Sequence, residues 1–374
     1  MATVLDTRRT IAGMDVAVDP LTATRARGRG ARSNESGRFE PLARQAFDDG
    51  WQSLEELPVF KTTVIEETAK TIITRNDSPD ISFDRSINAY RGCEHGCSYC
   101  FARPSHAYMG LSPGLDFESR LFAKTNAADL LRGELLHPAY KPQTIAIGTN
   151  TDPYQPLERR YRITRQILEV LNEFNHPVGI VTKSALVTRD IDILKEMASK
   201  KLVKVALSVT SLDAKLARSM EPRASTPANR LKALELLSAA GIPTAVMVAP
   251  IIPALNDAEM ETILGAAALA GVKEAGYVML RLPHEVKALF REWLMTERPD
   301  RAQHVLSLVR QTQGGKDYDS TFGVRQKGQG PYAWTIGRRF ELAAKRLGLN
   351  TQKTRLSTSA FRRPAQPGEQ LALF

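Results

Sequence analysis

The feature that most constrains the fold is an alternation of short apolar runs with longer amphipathic segments through the middle of the chain. Five of the runs are almost continuously hydrophobic, and the first is interrupted by Ser86 and Asn88. Short apolar runs of this kind are typical of strands that are buried on both faces of a parallel sheet. The predicted strands cover residues 86–90, 144–150, 178–184, 203–211, 244–252 and 276–282.

The segments between these runs carry helix signals. Residues 157–174 place apolar side chains at helical spacing, and Thr226 is an N-cap followed by Pro227 at the first helical position. Gly241 ends that predicted helix. Six strand–helix repeats predict parallel strands joined by right-handed crossovers, in an open barrel or in a doubly wound sheet. In both architectures the chemistry collects at the carboxyl ends of the strands.

The two ends of the chain differ from this pattern. After the last predicted strand the periodicity becomes helical, which predicts a helical C-terminal extension on the α/β core. The first residues are rich in Arg and Gly and show no sustained apolar period, as do the last ones, which predicts flexible basic tails. The predicted organisation is an arm at 1–45, a lead-in at 46–80, a core at 81–285, a helical extension at 286–350 and a tail at 351–374.

Composition narrows the class of protein. The formal net charge of +10 is compatible with a polyanionic partner such as DNA, although many basic proteins have no such partner. The three cysteines fall within eight residues, which argues against a secreted disulfide scaffold and for a metal site in the reducing cytoplasm. No stretch approaches the length of a membrane span. We therefore expect a cytoplasmic protein with no membrane partner.

The cysteines form the motif Cys93-x3-Cys97-x2-Cys100, with Gly92 and Gly96 beside them. Three thiolates on one tight loop can bind three irons of a 4Fe–4S cluster and leave the fourth iron open. The glycines would let the backbone fold closely around the cluster. A structural zinc ion is the alternative, with His95 as its fourth ligand, although the spacing is a poor match to known zinc sites.

This motif, with the aromatic Tyr99 before the last cysteine and at the end of a first strand, resembles the radical S-adenosylmethionine (SAM) superfamily. The resemblance implies a partial (β/α)6 TIM-type barrel and a 4Fe–4S cluster whose open iron is chelated by SAM. It also implies reduction by a partner such as flavodoxin or ferredoxin, followed by cleavage of SAM to methionine and a 5′-deoxyadenosyl radical. The cofactors carry this chemistry, and the protein places and shields it.

Over about residues 80–285 the chain further resembles the spore photoproduct lyase-like, or DNA repair photolyase, branch. That resemblance implies a lyase-like enzyme of DNA repair. The matching strings are Cys-Phe-Ala-Arg at 100–103, Thr-Asn-Thr-Asp-Pro-Tyr-Gln-Pro-Leu-Glu at 149–158, Thr-Lys-Ser at 182–184 and Glu-Pro-Arg at 221–223. One departure matters, because the lyase uses an additional cysteine near the second strand as a hydrogen-atom donor and this chain has none there. A different substrate or a tyrosine relay would be required.

The resemblance also assigns roles to individual residues. Tyr99 is expected near the adenine of SAM, Thr151 and Asp152 near its amino group, Lys183 at its carboxylate and Ser208 at a hydroxyl or the carboxylate. Asp152 could instead cap a helix, and Lys183 could form a salt bridge at the barrel rim. Arg103, His106 and Tyr108 are candidates for orienting the substrate, with a structural role as the alternative.

The final residues suggest a partner. Gln370, Leu371, Leu373 and Phe374 resemble the short peptide by which bacterial repair proteins dock on the sliding clamp. A disordered tail can lay such apolar anchors into a preformed groove. The alternative is a coincidental apolar terminus.

The sequence leaves three functions open. The first is a radical SAM enzyme acting on DNA or another nucleic acid. The second is a radical SAM enzyme with a small-molecule or protein substrate, and the third is a non-catalytic iron–sulfur or zinc protein that is recruited to DNA.

Overall fold

A computed structural model describes residues 9–11, 14–16, 28–40 and 61–364 of the chain. Two short strands, β1 (Arg9–Ile11) and β2 (Met14–Val16), pair antiparallel. The other strands are β3 (Thr63–Glu67), β4 (Ile73–Arg75), β5 (Arg85–Ile87), β6 (Tyr90–Arg91), β7 (Arg120–Lys124), β8 (Ile145–Ile147), β9 (Val178–Thr182), β10 (Val203–Ser208), β11 (Thr244–Ile251) and β12 (Glu274–Met279).

The helices lie mostly after the barrel strands. They are α1 (Asp116–Ser119), α2 (Ala127–Leu136), α3 (Glu158–Tyr161), α4 (Ile163–Glu173), α5 (Ile191–Ser199), α6 (Ala214–Met220), α7 (Pro227–Ala239), α8 (Met260–Leu269), α9 (Val286–Glu297), α10 (Ala302–Thr312) and α11 (Gly330–Arg346). Three 3-10 segments cover Arg103–Met109, Ala185–Asp190 and Asp257–Glu259.

The main sheet has the order β12-β11-β10-β9-β8-β5-β4. Strands β5 and β8 to β12 are parallel neighbours in chain order, and β4 adds antiparallel to β5 at one edge. Six parallel strands in sequential order, alternating with helices, form the partial (β/α)6 barrel that the sequence predicted. The sheet ends at β12 and at β4, so the described strands leave the barrel open on one side.

The observed strands are shorter than the predicted ones at their carboxyl ends. β8 stops at Ile147, where Gly148 takes a φ of +88°. A Cβ atom at Gly148 would lie 1.9 Å from the carbonyl oxygen of Val181, so only glycine lets the chain turn away here. The polar residues that were included in the strand predictions belong to the loops that build the site.

The first predicted strand is divided between two sheets. Its beginning is β5 in the barrel, and its end is β6 in a small sheet of order β3-β7-β6. This small sheet has no counterpart among the strands predicted from the sequence. It carries the cysteine motif, because β6 runs directly into Cys93.

The predicted helix signals are confirmed. Thr226 accepts a hydrogen bond from the amide of Asn229, and Pro227 opens α7. In α4, Ile163, Ile167 and Leu171 are buried against the sheet, as the spacing predicted. A close-packed core of buried hydrophobic side chains between the helices and the sheet fixes the positions of the strand ends.

The helical extension is also confirmed, because α9, α10 and α11 follow the last barrel strand. Trp293 of α9 is fully buried and donates a hydrogen bond to the carbonyl of Ser219 at 2.9 Å, which attaches the extension to the barrel. Between α10 and α11 lies a non-helical segment, residues 313–329, which we call the bridging loop.

The described parts of the predicted flexible tails are packed. Arg29 and Ala31 are buried, because the carboxylate of Glu118 accepts hydrogen bonds from the backbone amides of Gly30 and Ala31. At the other end, the Arg363 guanidinium donates to the carbonyl of Leu135 and to its neighbours. Residues 28–40 and 351–364 therefore differ from the flexible tails that were expected.

The clamp-like peptide at 370–374 lies outside the described residues and stays a prediction. No helix in the described part of the chain combines the length and the apolar character that a membrane span requires.

Candidate active site

The cysteine loop follows β6 at the carboxyl end of the barrel. Cys93 and Cys97 are buried, and Cys100 is partly exposed. Gly92 and Gly96 take φ values of +74° and +65°. A Cβ atom at Gly92 would lie 2.6 Å from Leu121, and one at Gly96 would lie 2.5 Å from the Glu118 carboxylate. Both positions require glycine, as the motif predicted.

Arg103 holds the loop from below. Its Nε donates to the carbonyl of Cys97 at 2.9 Å, and its Nη2 donates to Glu118 at 2.5 Å. Neither side chain of this ion pair is exposed. Arg103 therefore supports the cysteine loop, and the expectation that it orients a substrate is not supported.

His106 is also enclosed. Its Nε2 lies 3.0 Å from the carbonyl oxygen of Arg120, and its ring packs edge-on against Phe117. Burial lowers the pKa of His106 to about 4, so the ring is neutral at physiological pH. Like Arg103, it has a structural role. Tyr108 differs from both, because it is 74 % exposed and lies beside Arg38.

Two side chains of the segment 149–158 hydrogen-bond to the backbone of the cysteine loop and of the strand before it. The Gln155 side-chain amide donates to the carbonyl of Gly92 at 3.2 Å and accepts from the amide of Glu94 at 2.9 Å. The Thr151 hydroxyl donates to the carbonyl of Tyr90 at 3.1 Å. Thr151 is thus engaged with the backbone before the loop. Gln155 belongs to a string that carries the family resemblance, but its sequence position does not predict this contact.

Asp152 is buried among several donors. Its carboxylate accepts from the Thr182 hydroxyl and the Lys183 amide, both at 2.7 Å, and lies 3.3 Å from Nδ1 of His95. Burial raises the pKa of this carboxyl, but His95, Thr182 and the Lys183 amide outweigh burial and lower it to about 2. Asp152 therefore joins the ends of β8 and β9 to the cysteine loop through His95. This differs from the helix cap that was considered as its alternative.

Tyr99, Lys183 and Glu221 lie together on another side of the cysteine loop, and we call these three residues the second wall of the site. The Tyr99 hydroxyl donates to Glu221, and the Lys183 ammonium lies 5.8 Å from the centre of the Tyr99 ring. Burial disfavours the charged ammonium, but neighbouring Cys97 and Glu221 outweigh this and raise the pKa of Lys183. The site thus places an aromatic ring and a cation beside the cysteine loop.

Glu221 is held by Arg230, and both side chains are buried. Arg230 also donates to the carbonyl of Ser208 at 2.9 Å, so it connects the end of β10 to Tyr99 through Glu221. Arg230 was not predicted from the sequence, because it lies on helix α7 without a distinguishing motif. Glu221 belongs to the Glu-Pro-Arg string at 221–223, but the string alone does not predict its contact with Tyr99.

The three cysteines fit a cofactor that is bound through three thiolates. They belong to one loop, and their thiols lie close together, so that in addition to burial Cys97 and Cys100 raise the pKa of Cys93, and Cys100 raises that of Cys97. Burial raises the pKa of Cys93, and a hydrogen bond from the Asp152 amide opposes this. Within the described residues, no three His, Cys, Asp or Glu side chains converge as they would around a single metal ion. The Nδ1 atom of His95, the fourth ligand of the zinc alternative, lies 3.3 Å from the Asp152 carboxylate.

A cysteine loop at the carboxyl end of a partial (β/α)6 barrel defines a class of enzyme. The model of the radical SAM superfamily matches residues 87–267, and the chain belongs to this superfamily. An uncharacterised protein of Mycobacterium tuberculosis is 38 % identical over 232 residues, which is 62 % of this chain and 68 % of the relative. An uncharacterised protein of Methanocaldococcus jannaschii is 31 % identical over 199 residues, or 53 % and 71 % of the two chains.

Among solved structures, the fold is that of spore photoproduct lyase. A cysteine-to-serine mutant of that enzyme matches with a TM-score of 0.58 and 16 % identity over 82 % of this chain and 86 % of the other. The same enzyme complexed with dinucleoside spore photoproduct matches with a TM-score of 0.57 and 16 % identity over 76 % and 80 %. At this identity the likeness concerns the fold.

Proposed function

We propose that this chain is a radical SAM enzyme that holds a 4Fe–4S cluster on Cys93, Cys97 and Cys100. The observation that carries the proposal is the buried cysteine loop, which glycines shape and which the side chains of Arg103 and Gln155 hold at the mouth of the barrel. When bound and reduced, the cluster and SAM supply a 5′-deoxyadenosyl radical that can remove a hydrogen atom from the substrate. The protein binds, orients and shields these groups.

Two side chains of the second wall are proposed to bind SAM. Lys183 offers a cation to the carboxylate of SAM, and Tyr99 offers its ring to the adenine. Glu221 and Arg230 fix the Tyr99 hydroxyl, so the ring is already oriented before SAM enters. Ser208, which ends β10, is proposed to hydrogen-bond SAM. Asp152 and Thr151 are proposed to act indirectly, by holding the cysteine loop.

A spectroscopic experiment tests the cofactor part of this proposal. The protein is reconstituted anaerobically with iron and sulfide, reduced, and examined by electron paramagnetic resonance with and without SAM. We expect a 4Fe–4S signal that changes when SAM is added, because SAM binds the open iron. A signal that SAM leaves unchanged would argue for a non-catalytic iron–sulfur protein. Zinc binding without any cluster would contradict the proposal.

We propose that the substrate is DNA or another nucleic acid and that the reaction is lyase-like and of the repair type. The net charge of +10 supports this proposal, as does the shared fold with a lyase that has been solved with a dinucleoside photoproduct. The chain has three cysteines, all in the cysteine loop, so a protein thiol is not free to return a hydrogen atom to the product. Another hydrogen donor is required.

Salt dependence tests the nucleic-acid part. Phosphate contacts release counterions, so the affinity for an oligonucleotide should fall steeply as salt is raised from about 50 to about 200 mM. The measurement is fluorescence anisotropy with the cluster-loaded protein under argon. An affinity that does not change with salt, or no binding at all, would favour a small-molecule or protein substrate.

A further inference from the structure

The open side of the barrel is crossed by a segment of the chain itself. The bridging loop contacts the edge strand β12, because the amide of Met279 donates to the carbonyl of Gln326 at 2.8 Å. It also contacts the loop between β4 and β5 on the other edge, where the Asp80 carboxylate accepts from the amide of Gly323 at 2.7 Å. The bridging loop therefore spans the gap between the two edges of the sheet.

An exposed phenylalanine stacked with arginine lies on this loop. Phe322 is 55 % exposed, and the Arg325 guanidinium lies 4.5 Å from its ring centre. Arg325 is fixed from behind, because its Nε donates to Asp80 and its Nη2 donates to Ser78, both at 2.5 Å. These contacts fix the Arg325 guanidinium next to the exposed Phe322 ring.

A second pair of the same kind lies at the cysteine loop. Phe101 directly follows Cys100, the most exposed of the three cysteines, and is itself 44 % exposed. The Arg281 guanidinium lies 4.8 Å from the Phe101 ring centre and within 3.5 Å of the Tyr318 hydroxyl of the bridging loop. Arg281 follows β12, so this pair stands where the barrel, the bridging loop and the cysteine loop meet.

Asp80 relates the two pairs. Its carboxylate interacts electrostatically with both Arg281 and Arg325, and it is largely enclosed. The Asp80 carboxylate thereby binds the Arg325 guanidinium directly and attracts the charge of Arg281, and each guanidinium lies over an exposed phenylalanine. Single exposed apolar side chains are common on protein surfaces. Here each of two exposed rings lies beside an arginine that interacts with the charge of Asp80, and one of the rings is next to the cysteine loop, which makes an organised surface.

We propose that Phe101 with Arg281 and Phe322 with Arg325 form a stacking track that binds unpaired nucleotides and leads a single strand to the cysteine loop. The inference rests on the proposed function, since it takes a nucleic-acid substrate as given. Bases offer their faces to aromatic rings only when they are out of the duplex stack, and arginine adds cation–π attraction and phosphate contacts. An intact duplex could use the cations but not the rings. The track therefore favours single-stranded or locally opened nucleic acid.

The test compares matched variants of the cluster-loaded full chain. Phe101→Leu and Phe322→Leu keep an apolar side chain but remove the ring, whereas Phe101→Trp and Phe322→Trp keep an aromatic face. Leu236→Ala, at a 43 % exposed position on the outer helix α7, controls for the loss of exposed apolar surface. Binding is measured by fluorescence anisotropy with a labelled oligothymidylate of about 12 nucleotides, as a single strand and as a duplex with oligoadenylate.

We expect the wild-type protein to prefer the single strand. Each leucine variant should lose about tenfold in single-strand affinity, the range that one stacked base supplies, while the tryptophan variants and Leu236→Ala retain it. Asp80→Asn should weaken single-strand binding as well, because it removes the charge that holds Arg325. If the wild type binds the single strand but the leucine variants bind equally well, or if the duplex is preferred, the stacking track is wrong and the nucleic-acid function stands. If neither probe binds, the proposed nucleic-acid function itself fails.

Discussion

Arg103 and Glu118 form an ion pair of 2.5 Å in which neither side chain is exposed to solvent. This ion pair connects the cysteine loop to residues 28–40, because the Glu118 carboxylate also accepts hydrogen bonds from the backbone amides of Gly30 and Ala31. Each of these buried charges depends on the other, because a buried charge without its partner is strongly destabilising. The pair therefore makes the shape of the cysteine loop sensitive to residues that are distant in sequence.

Removing Arg103 should destabilise the protein and empty the cysteine loop of iron. Arg103→Met leaves Glu118 buried without its cation, which costs about 3–5 kcal/mol. The measurement is the free energy of unfolding by denaturant together with iron and sulfide content after reconstitution. Arg132→Ala is the matched control, since it breaks an ion pair with Glu173 that is about 40 % exposed on both sides, and it should cost less than about 1 kcal/mol. Equal effects of the two changes would contradict the structural role of Arg103.

The packing of residues 28–40 predicts an unusual sensitivity at Gly30. A Cβ atom there would lie 1.5 Å from the carbonyl oxygen of Gly96, so Gly30→Ala must displace either this segment or the cysteine loop. We expect weaker retention of iron during a timed challenge with a chelator. Gly133→Ala, on α2 with nothing within 4 Å of the new methyl group, should retain iron as the wild type does. Unchanged retention in Gly30→Ala would show that residues 28–40 do not support the loop.

Glu292 on α9 predicts a pH dependence of the same packing. Burial raises the pKa of this carboxyl from 4.5 to about 7, with a further contribution from Glu35, while Ser33 and Arg32 oppose the rise. The folded protein then binds the proton more tightly than the unfolded chain does. The free energy of unfolding should therefore fall as the pH rises between these two values and stay lower above about 7.

The measurement for this prediction is denaturant unfolding across pH 5 to 8. Glu292→Gln should reduce the slope and raise the free energy of unfolding at pH 8, since it replaces a buried charge by a neutral amide. Glu285→Gln, at the residue just before α9, removes a partly exposed partner of Arg38 and should retain the slope. A slope that survives in Glu292→Gln would assign the pH dependence to another group.

A substitution of Lys183 should weaken the binding of SAM without changing the binding of the cluster. Lys183→Met keeps the length of the side chain but removes the cation that we assign to the SAM carboxylate. We expect iron content to stay near that of the wild type and SAM affinity to fall about tenfold or more, as expected for the loss of a charge-assisted contact. Lys183→Arg should recover part of the affinity. Equilibrium dialysis with labelled SAM under argon measures both variants, and unchanged affinity in Lys183→Met would remove this residue from the SAM site.

The alternation of parallel strands and helices was predicted well because most of the strands are largely buried, so their hydrophobic pattern is nearly independent of context. The choice of a partial barrel over a doubly wound sheet came from the resemblance to the radical SAM superfamily. The requirement for glycine at Gly92 and Gly96 beside the three cysteines was also predicted, because the motif is local. The support of the loop was not, since Arg103 and Glu118 meet only after the chain has folded back through α1. A polar residue beside a metal motif has the same sequence signature whether it faces a substrate or supports a loop.

The ends of the chain show the same limit. Arg and Gly in residues 28–40 have the composition of a flexible arm, yet the buried carboxylate of Glu118 orders them. Likewise, Arg363 is ordered by carbonyl groups in the last turn of α2 and directly after it. Composition reports how much apolar surface a segment can bury by itself, but not which buried polar groups elsewhere require it as a partner.

The most direct test of radical SAM chemistry is the formation of 5′-deoxyadenosine. The protein is loaded with iron and sulfide, reduced with dithionite under argon and incubated with SAM, and the product is quantified by mass spectrometry with and without single-stranded DNA. We expect 5′-deoxyadenosine from the wild type and none above background from Cys93→Ala, Cys97→Ala or Cys100→Ala. A cluster-loaded wild type that yields no 5′-deoxyadenosine under either condition, or alanine variants that form it as well as the wild type, would contradict the central claim.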